Sequence, residues 1–125
     1  MTKIESVIID LTSANQKLQE ALNADPTELN QDATIQRFEF TFELSWKLMQ
    51  EVLTNNLRKT RGVKDVIRQA QDMEIIDDCQ KWFDFLDSRN LTVHTYKMEI
   101  ARTIYTKIKN FPIEVEKLIN NSKNI

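Results

Sequence analysis

The stretch Arg89-Asn90-Leu91-Thr92-Val93-His94-Thr95-Tyr96 holds the one histidine of the 125-residue chain, with a permanent cation five positions before it and a phenol two positions after it. An imidazole, with an unperturbed pKa of about 6.5, moves protons near neutral pH, and a guanidinium can hold two phosphate oxygens in a fork. Beside the amide of Asn90, these groups suit phosphodiester chemistry. In RNA cleavage without a metal, a base takes the proton of a 2′-hydroxyl. That oxygen attacks the neighbouring phosphorus, and a cation stabilises the charge gathering on the phosphoryl oxygens. One histidine cannot be base and leaving-group acid at the same time; a symmetric dimer that places two copies of His94 across one cleft would supply both. The plain alternative is a structural or accidental pairing of Arg89 and His94, with Tyr96 a half-buried aromatic whose hydroxyl seeks a partner.

These residues sit where a strongly apolar helix gives out. At about 100° per residue, Trp82, Phe85, Leu86 and Val93 share one apolar face, and Arg89 falls in the middle of it. Arg89 and His94 diverge by about 140° on a regular helix, so either the helix loosens or the long arginine reaches round; a helix that ends near Leu91 or Thr92 lets the imidazole turn toward the guanidinium. Asp77 or Asp78 can cap this fourth helix.

The elements ahead of it are also helical. Ile4, Val7, Ile8, Leu11, Ala14, Leu18 and Leu22 recur at three- and four-residue steps, which predicts a first helix from Ile4 to Leu22, ending before Asp25-Pro26. A second helix, about Gln31 to Leu57, begins near Asn30 or Asp32 as cap. It carries one stripe of Ile35, Phe38, Phe42, Trp46, Met49 and Leu53, and another of Phe40, Leu44, Leu48 and Val52. Two apolar faces need two partners, and the second is either a further helix of the chain or a second subunit. Glu39 and Glu43 read as the polar edge, with Glu43 and Lys47 an i,i+4 pair.

A basic loop leads into a third helix, about Val63 to Glu74. Its cations Arg58, Lys59, Arg61 and Lys64, with Arg68 one turn later, are either a solvated connection or contacts for RNA phosphates. A fifth helix runs from about Lys97 toward the C-terminus, where Pro112 kinks or interrupts it. Asn120-Asn121-Ser122-Lys123-Asn124 reads as a fraying end.

One glycine and two prolines against 29% charged and 41% hydrophobic residues is the composition of long helices with short connections. The expectation is all-α: a single domain over residues 1–125, folded as an antiparallel up-and-down bundle of about five helices that dimerises. A net charge of −2 gives no global attraction to nucleic acid, so any such binding comes from a local patch. Cys79 is alone, which excludes an internal disulfide and leaves too little thiol for a structural zinc site. No metal and no cofactor are expected. Without a secretory leader pattern or an apolar run long enough for a membrane span, a cytoplasmic protein with no membrane partner is expected.

Three separated blocks then carry a resemblance. They are Asp32-Ala33-Thr34-Ile35-Gln36-Arg37-Phe38-Glu39-Phe40-Thr41-Phe42-Glu43-Leu44-Ser45-Trp46-Lys47, then Asp65-Val66-Ile67-Arg68-Gln69-Ala70, then Arg89 through Tyr96 followed by Ala101 and Ile104-Tyr105. In this order, across about Asp32 to Ile108, the chain resembles the nucleotidyltransferase substrate-binding family of the HEPN superfamily. Arg89, the polar Asn90 and His94 match the HEPN signature. His94-Thr95-Tyr96 extends it to the form found in HEPN toxins paired with a minimal nucleotidyltransferase antitoxin. The resemblance implies a dimeric helical bundle that cleaves RNA, with Arg89, Asn90 and His94 catalytic and Tyr96 the position to which the partner adds AMP. Older naming implies instead a non-catalytic subunit that presents substrate or nucleotide to the nucleotidyltransferase. Lys97 departs from the pattern where a capping Asp, Asn or Ser is expected. No Gly-Ser followed by paired aspartates occurs, so the chain is not itself a nucleotidyltransferase.

Overall fold

The computed structural model describes residues 1–125 and is all-helical, with six α-helices and one short 3-10 turn. α1 (Lys3–Asn23) opens on Thr2, whose hydroxyl accepts the Glu5 amide at 3.1 Å, and turns Val7, Ile8, Leu11, Ala14 and Leu18 inward. α2 (Glu28–Asn55) starts nearly one turn before the expected Gln31. The cap is Thr27, rather than Asn30 or Asp32: its hydroxyl accepts the Asn30 amide at 3.1 Å. The Asn30 side chain donates instead to the Asp25 carbonyl at 2.9 Å, closing the loop around Pro26. α3 (Gly62–Asp72) buries Val66, Ile67 and Ala70. α4 (Cys79–Leu91) is capped by Asp78, which accepts the amides of Gln80 and Lys81 at 2.9 and 3.4 Å.

The expected fifth helix is two helices, so the count is six. α5 (Met98–Lys107) stops at Ile108, and α6 (Phe111–Lys123) begins with Pro112 in its first turn, where a missing amide proton costs nothing. The break turns Phe111 inward. Its ring packs edge-on against Phe38, Trp82 and Phe85 at centroid distances of 5.0, 5.4 and 4.8 Å, joining α2, α4 and α6. Asn15 of α1 donates to the Pro112 carbonyl at 3.1 Å and fixes the same corner. The asparagine-rich end does not fray: α6 continues through Lys123, Asn121 donates to the Ile75 carbonyl at 3.1 Å, and Ser122 is buried. Near it, Lys117 lies 3.3 Å from buried Glu114 and 3.4 Å from Asp77. The hydrogen bond to Glu114, the charge of Glu114 and that of Asp77 raise the Lys117 ammonium above its ordinary range.

The two apolar faces of α2 have different fates. Ile35, Phe38, Phe42, Met49 and Leu53 enter the core, and so do Leu48 and Val52 of the second stripe, whereas Phe40 stays 41% exposed and Leu44 partly open. Thr34, Thr41 and Ser45 are fully buried as well. Each hydroxyl donates one turn back, to the carbonyls of Asn30, Arg37 and Thr41 at 2.6–2.8 Å, and so needs no other partner.

Two helix ends close in the same way. The Arg58 amide reaches the Leu53 carbonyl at 3.0 Å and the Leu57 amide that of Thr54 at 3.0 Å, with Leu57 at φ 62°. Glu74, also at φ 62°, ends α3 with the equivalent bonds. Glycine is the usual residue in this left-handed position, and an L side chain there costs about 1–2 kcal/mol. No helix is long and apolar enough to cross a membrane.

Candidate active site

α4 runs antiparallel to α2, because Arg89 meets Glu43 while Thr92, three residues on, meets Glu39, four residues back. Arg89 Nε donates to Glu43 Oε1 at 2.6 Å. Glu43 Oε2 accepts the Trp46 indole N–H at 3.1 Å, so both carboxylate oxygens are engaged. The expected Glu43–Lys47 pair is not formed; the carboxylate turns to Arg89 and Trp46 instead. The two terminal guanidinium nitrogens of Arg89 make no hydrogen bond within the chain, and its side chain is 31% exposed. A planar cation is thus held by one edge, with the bidentate edge open.

The helix ends at Leu91 and tightens into a 3-10 turn over Thr92–His94. The change of period moves Val93 off the apolar face where regular helical spacing puts it: it is 65% exposed, and Thr92 is buried in its stead. The Thr92 hydroxyl lies 2.7 Å from both Glu39 Oε1 and the Arg89 carbonyl, linking the turn to α2 and to the helix it leaves. The turn is closed by the Lys97 amide, which donates to the His94 carbonyl at 3.0 Å. His94 and Tyr96 are exposed side by side, with the phenol oxygen 3.4 Å from His94 Nδ1 and the rings nearly perpendicular. No hydrogen bond joins His94 to Arg89. Asn90 is exposed and makes no bond to Arg89; Glu43 does the holding.

Lys97, at the start of α5, supplies no side-chain cap. A cavity of about 430 Å³ opens beside Tyr96, between Pro26, Gln31, Asp32 and Arg102. Another, of about 500 Å³ between Lys81, Phe85, Lys107 and Glu114, contains no residue of the motif. No three His, Cys, Asp or Glu side chains gather closely enough to hold a metal ion.

The cations of the basic loop do not hydrogen-bond the motif. Arg58 pairs with Asp72 at 2.7 Å, the Lys59 carbonyl accepts Gln69, and the Arg61 amide donates to Asp65, so the loop runs back alongside α3. α3 in turn lies antiparallel to α4, because Gln71 accepts the Cys79 amide while Arg68 lies 5.4 Å over the Phe83 ring. The N-terminal end of α3, with Arg61 and Lys64, therefore points the same way as the motif end of α4. From Asp72 to Arg61 this basic strip is about 16 Å long at helical rise. Lys59, Arg61, Lys64 and Arg68 are exposed and form no salt bridge.

Glu43, Trp46, Glu39 and Thr92 are the side chains hydrogen-bonded around Arg89 that spacing alone does not single out. The one signal for the carboxylates is the crowding of Glu39 and Glu43 between the two apolar stripes of α2, opposite an arginine that also needs a partner.

A family model described as nucleotidyltransferase substrate binding protein like matches residues 6–124, reaching beyond the blocks that carry the resemblance. A Haemophilus influenzae protein named probable ribonuclease HepT is 41% identical over 85 residues, covering 64% of this chain and 58% of its own length. The chain thus spans somewhat over half of that relative. A Thermus thermophilus protein of known crystal structure superposes with a TM-score of 0.84 at 31% identity, covering 90% of this chain and 98% of the other. A Haemophilus influenzae structure, described as revealing the fold of a substrate binding domain of a nucleotidyltransferase, gives 0.80 at 28% identity, covering 93% and 98%. The chain belongs to the nucleotidyltransferase substrate-binding family of the HEPN superfamily.

Proposed function

We propose that this protein is a HEPN-type ribonuclease, the toxin half of a toxin–antitoxin pair, and that it acts as a homodimer. The observation that carries the reading is Arg89 fixed at Nε by Glu43, with both terminal nitrogens open, at the foot of a tight turn that leaves His94 exposed. The name of the Haemophilus relative, probable ribonuclease, supports it. In the proposed reaction, His94 of one copy takes the 2′-hydroxyl proton. The 2′-oxygen bonds to phosphorus, the bond from phosphorus to the 5′-oxygen breaks, and His94 of the other copy gives that oxygen its proton. The products are a 2′,3′-cyclic phosphate and a 5′-hydroxyl. Arg89 stabilises the phosphoryl charge as it builds.

The apolar side chains left exposed around the motif, Phe40, Leu91, Val93 and Met98, support a covering second copy. The unpaired cations Lys59, Arg61, Lys64 and Arg68 support an RNA path. Tyr96 is the position at which a partner nucleotidyltransferase would add AMP; a bulky anion 3.4 Å from the base would obstruct RNA there.

A second reading, a non-catalytic subunit that presents nucleotide or another substrate to the nucleotidyltransferase, is favoured by the description of the second Haemophilus structure. Incubation of purified protein with total RNA in EDTA separates the two, provided mass spectrometry finds Tyr96 free of AMP. Fragments with cyclic-phosphate ends are expected from the first reading, and intact RNA supports the second. Light scattering tests the dimer: a monomer at micromolar concentration contradicts the shared cleft.

A further inference from the structure

We infer that Leu57 is an RNA-contacting residue: the apolar end of the basic strip, against which an unpaired base of the substrate packs while the neighbouring cations hold its phosphates. The inference takes its ligand class from the ribonuclease reading and adds a second contact site, remote from the cleavage motif.

Leu57 is 94% exposed, the highest among the large hydrophobic residues, and its backbone sits in the left-handed region at φ 62°. Neither feature benefits the fold. The bonds that close α2 are backbone bonds that glycine would form with less strain, and the side chain has almost no cover. Glu74, in the same geometry at the end of α3, is at least polar. An apolar side chain with two disadvantages and no internal compensation has its use in contact with something else.

The surroundings say what. From Arg58 to Asp72 there are five cations and two carboxylates, a surplus of three positive charges in a chain of net charge −2. Both carboxylates are already occupied, Asp72 by Arg58 and Asp65 by the Arg61 amide and Gln69. Lys59, Arg61, Lys64 and Arg68 remain for a polyanion. Arg58, next to Leu57, is paired with Asp72, so the unpaired cations begin at Lys59 and lead away from the leucine: an apolar contact for an unstacked base at the head of a cationic run that can hold the phosphates following it. The strip runs from Leu57 toward the end of the bundle that bears Arg89 and His94, so one strand can occupy both. The favoured substrate is therefore RNA with unpaired nucleotides a few positions away from the cleavage point, such as a loop or a single-stranded tail.

The test is fluorescence anisotropy of a labelled, unstructured 20-nucleotide RNA on full-length His94→Ala protein, which binds without turnover. Adding Leu57→Gly is expected to weaken binding by about 3- to 10-fold and leave its salt dependence unchanged. Leu57→Asn, which also tolerates the left-handed backbone, should weaken it alike, and Leu57→Phe should retain it. Lys64→Ala should instead lower the salt slope by about 0.7. Thermal melting of Leu57→Gly at or above the parent temperature shows that any loss is not unfolding. Equal RNA affinity for Leu57→Gly and parent overturns the inference. Cleavage is scored separately with His94 intact: a nuclease whose affinity ignores Leu57 sinks this inference alone, whereas Leu57-dependent binding without cleavage sinks only the nuclease.

Discussion

At Trp82 and Phe85, α4 is held by aromatic edges against Phe111, both side chains almost out of reach of water. Two turns later, at Arg89 and Thr92, the same strand of chain is held by Glu43 and Glu39 of α2, with the turn open to solvent. The first attachment is strong and indifferent to chemistry, because burial rewards area rather than the direction of a head group. The second is energetically small, since a part-exposed ion pair contributes at most about 1 kcal/mol. It is nonetheless directional, and it decides which edge of the guanidinium stays open. A firm base carries stability, and a polar-clamped tip sets the direction of an exposed guanidinium.

Substitutions in the two halves of α4 should therefore fail differently. Trp82→Ala removes the largest side chain of the packed half and should cost about 3–5 kcal/mol, read from the midpoint of urea unfolding. Glu43→Gln keeps the acceptor for Trp46 but loses the charge that fixes Arg89. Its melting temperature should move little while cleavage falls by roughly 10- to 100-fold, the usual effect of a mispositioned group. A large loss of stability with unchanged cleavage would erase the distinction. Smaller still, Lys97→Asp supplies the cap that α5 lacks, on a residue already extended at φ −88°, ψ 115°. It should stabilise the fold by about 1 kcal/mol in the same unfolding assay.

Much of the packed half was legible from spacing. The faces of α1, α3 and α4 follow the helical period because burial acts on every turn, and Asp78 caps α4 because a short acceptor precedes an apolar run. The tip was less so. Val93 leaves the apolar face because the period changes at Leu91, and no residue type marks that change. Glu43 lies 46 positions from Arg89, a distance across which only the tertiary fold pairs charges. Thr27 displaces Asn30 and Asp32 as cap because Asn30 is drawn back to Asp25, and Pro112 divides the last helix in a way that only the inward turn of Phe111 explains. The strained leucine at position 57 sits where glycine would be expected, a mismatch that requires the backbone angle to be seen.

The most direct measurement is the single-turnover cleavage rate of a defined RNA in EDTA by wild type and by His94→Ala, both with Tyr96 free of AMP and with equal melting temperatures. The variant should be slower by at least about 100-fold, the usual worth of a general base. Equal rates for the two proteins would contradict it.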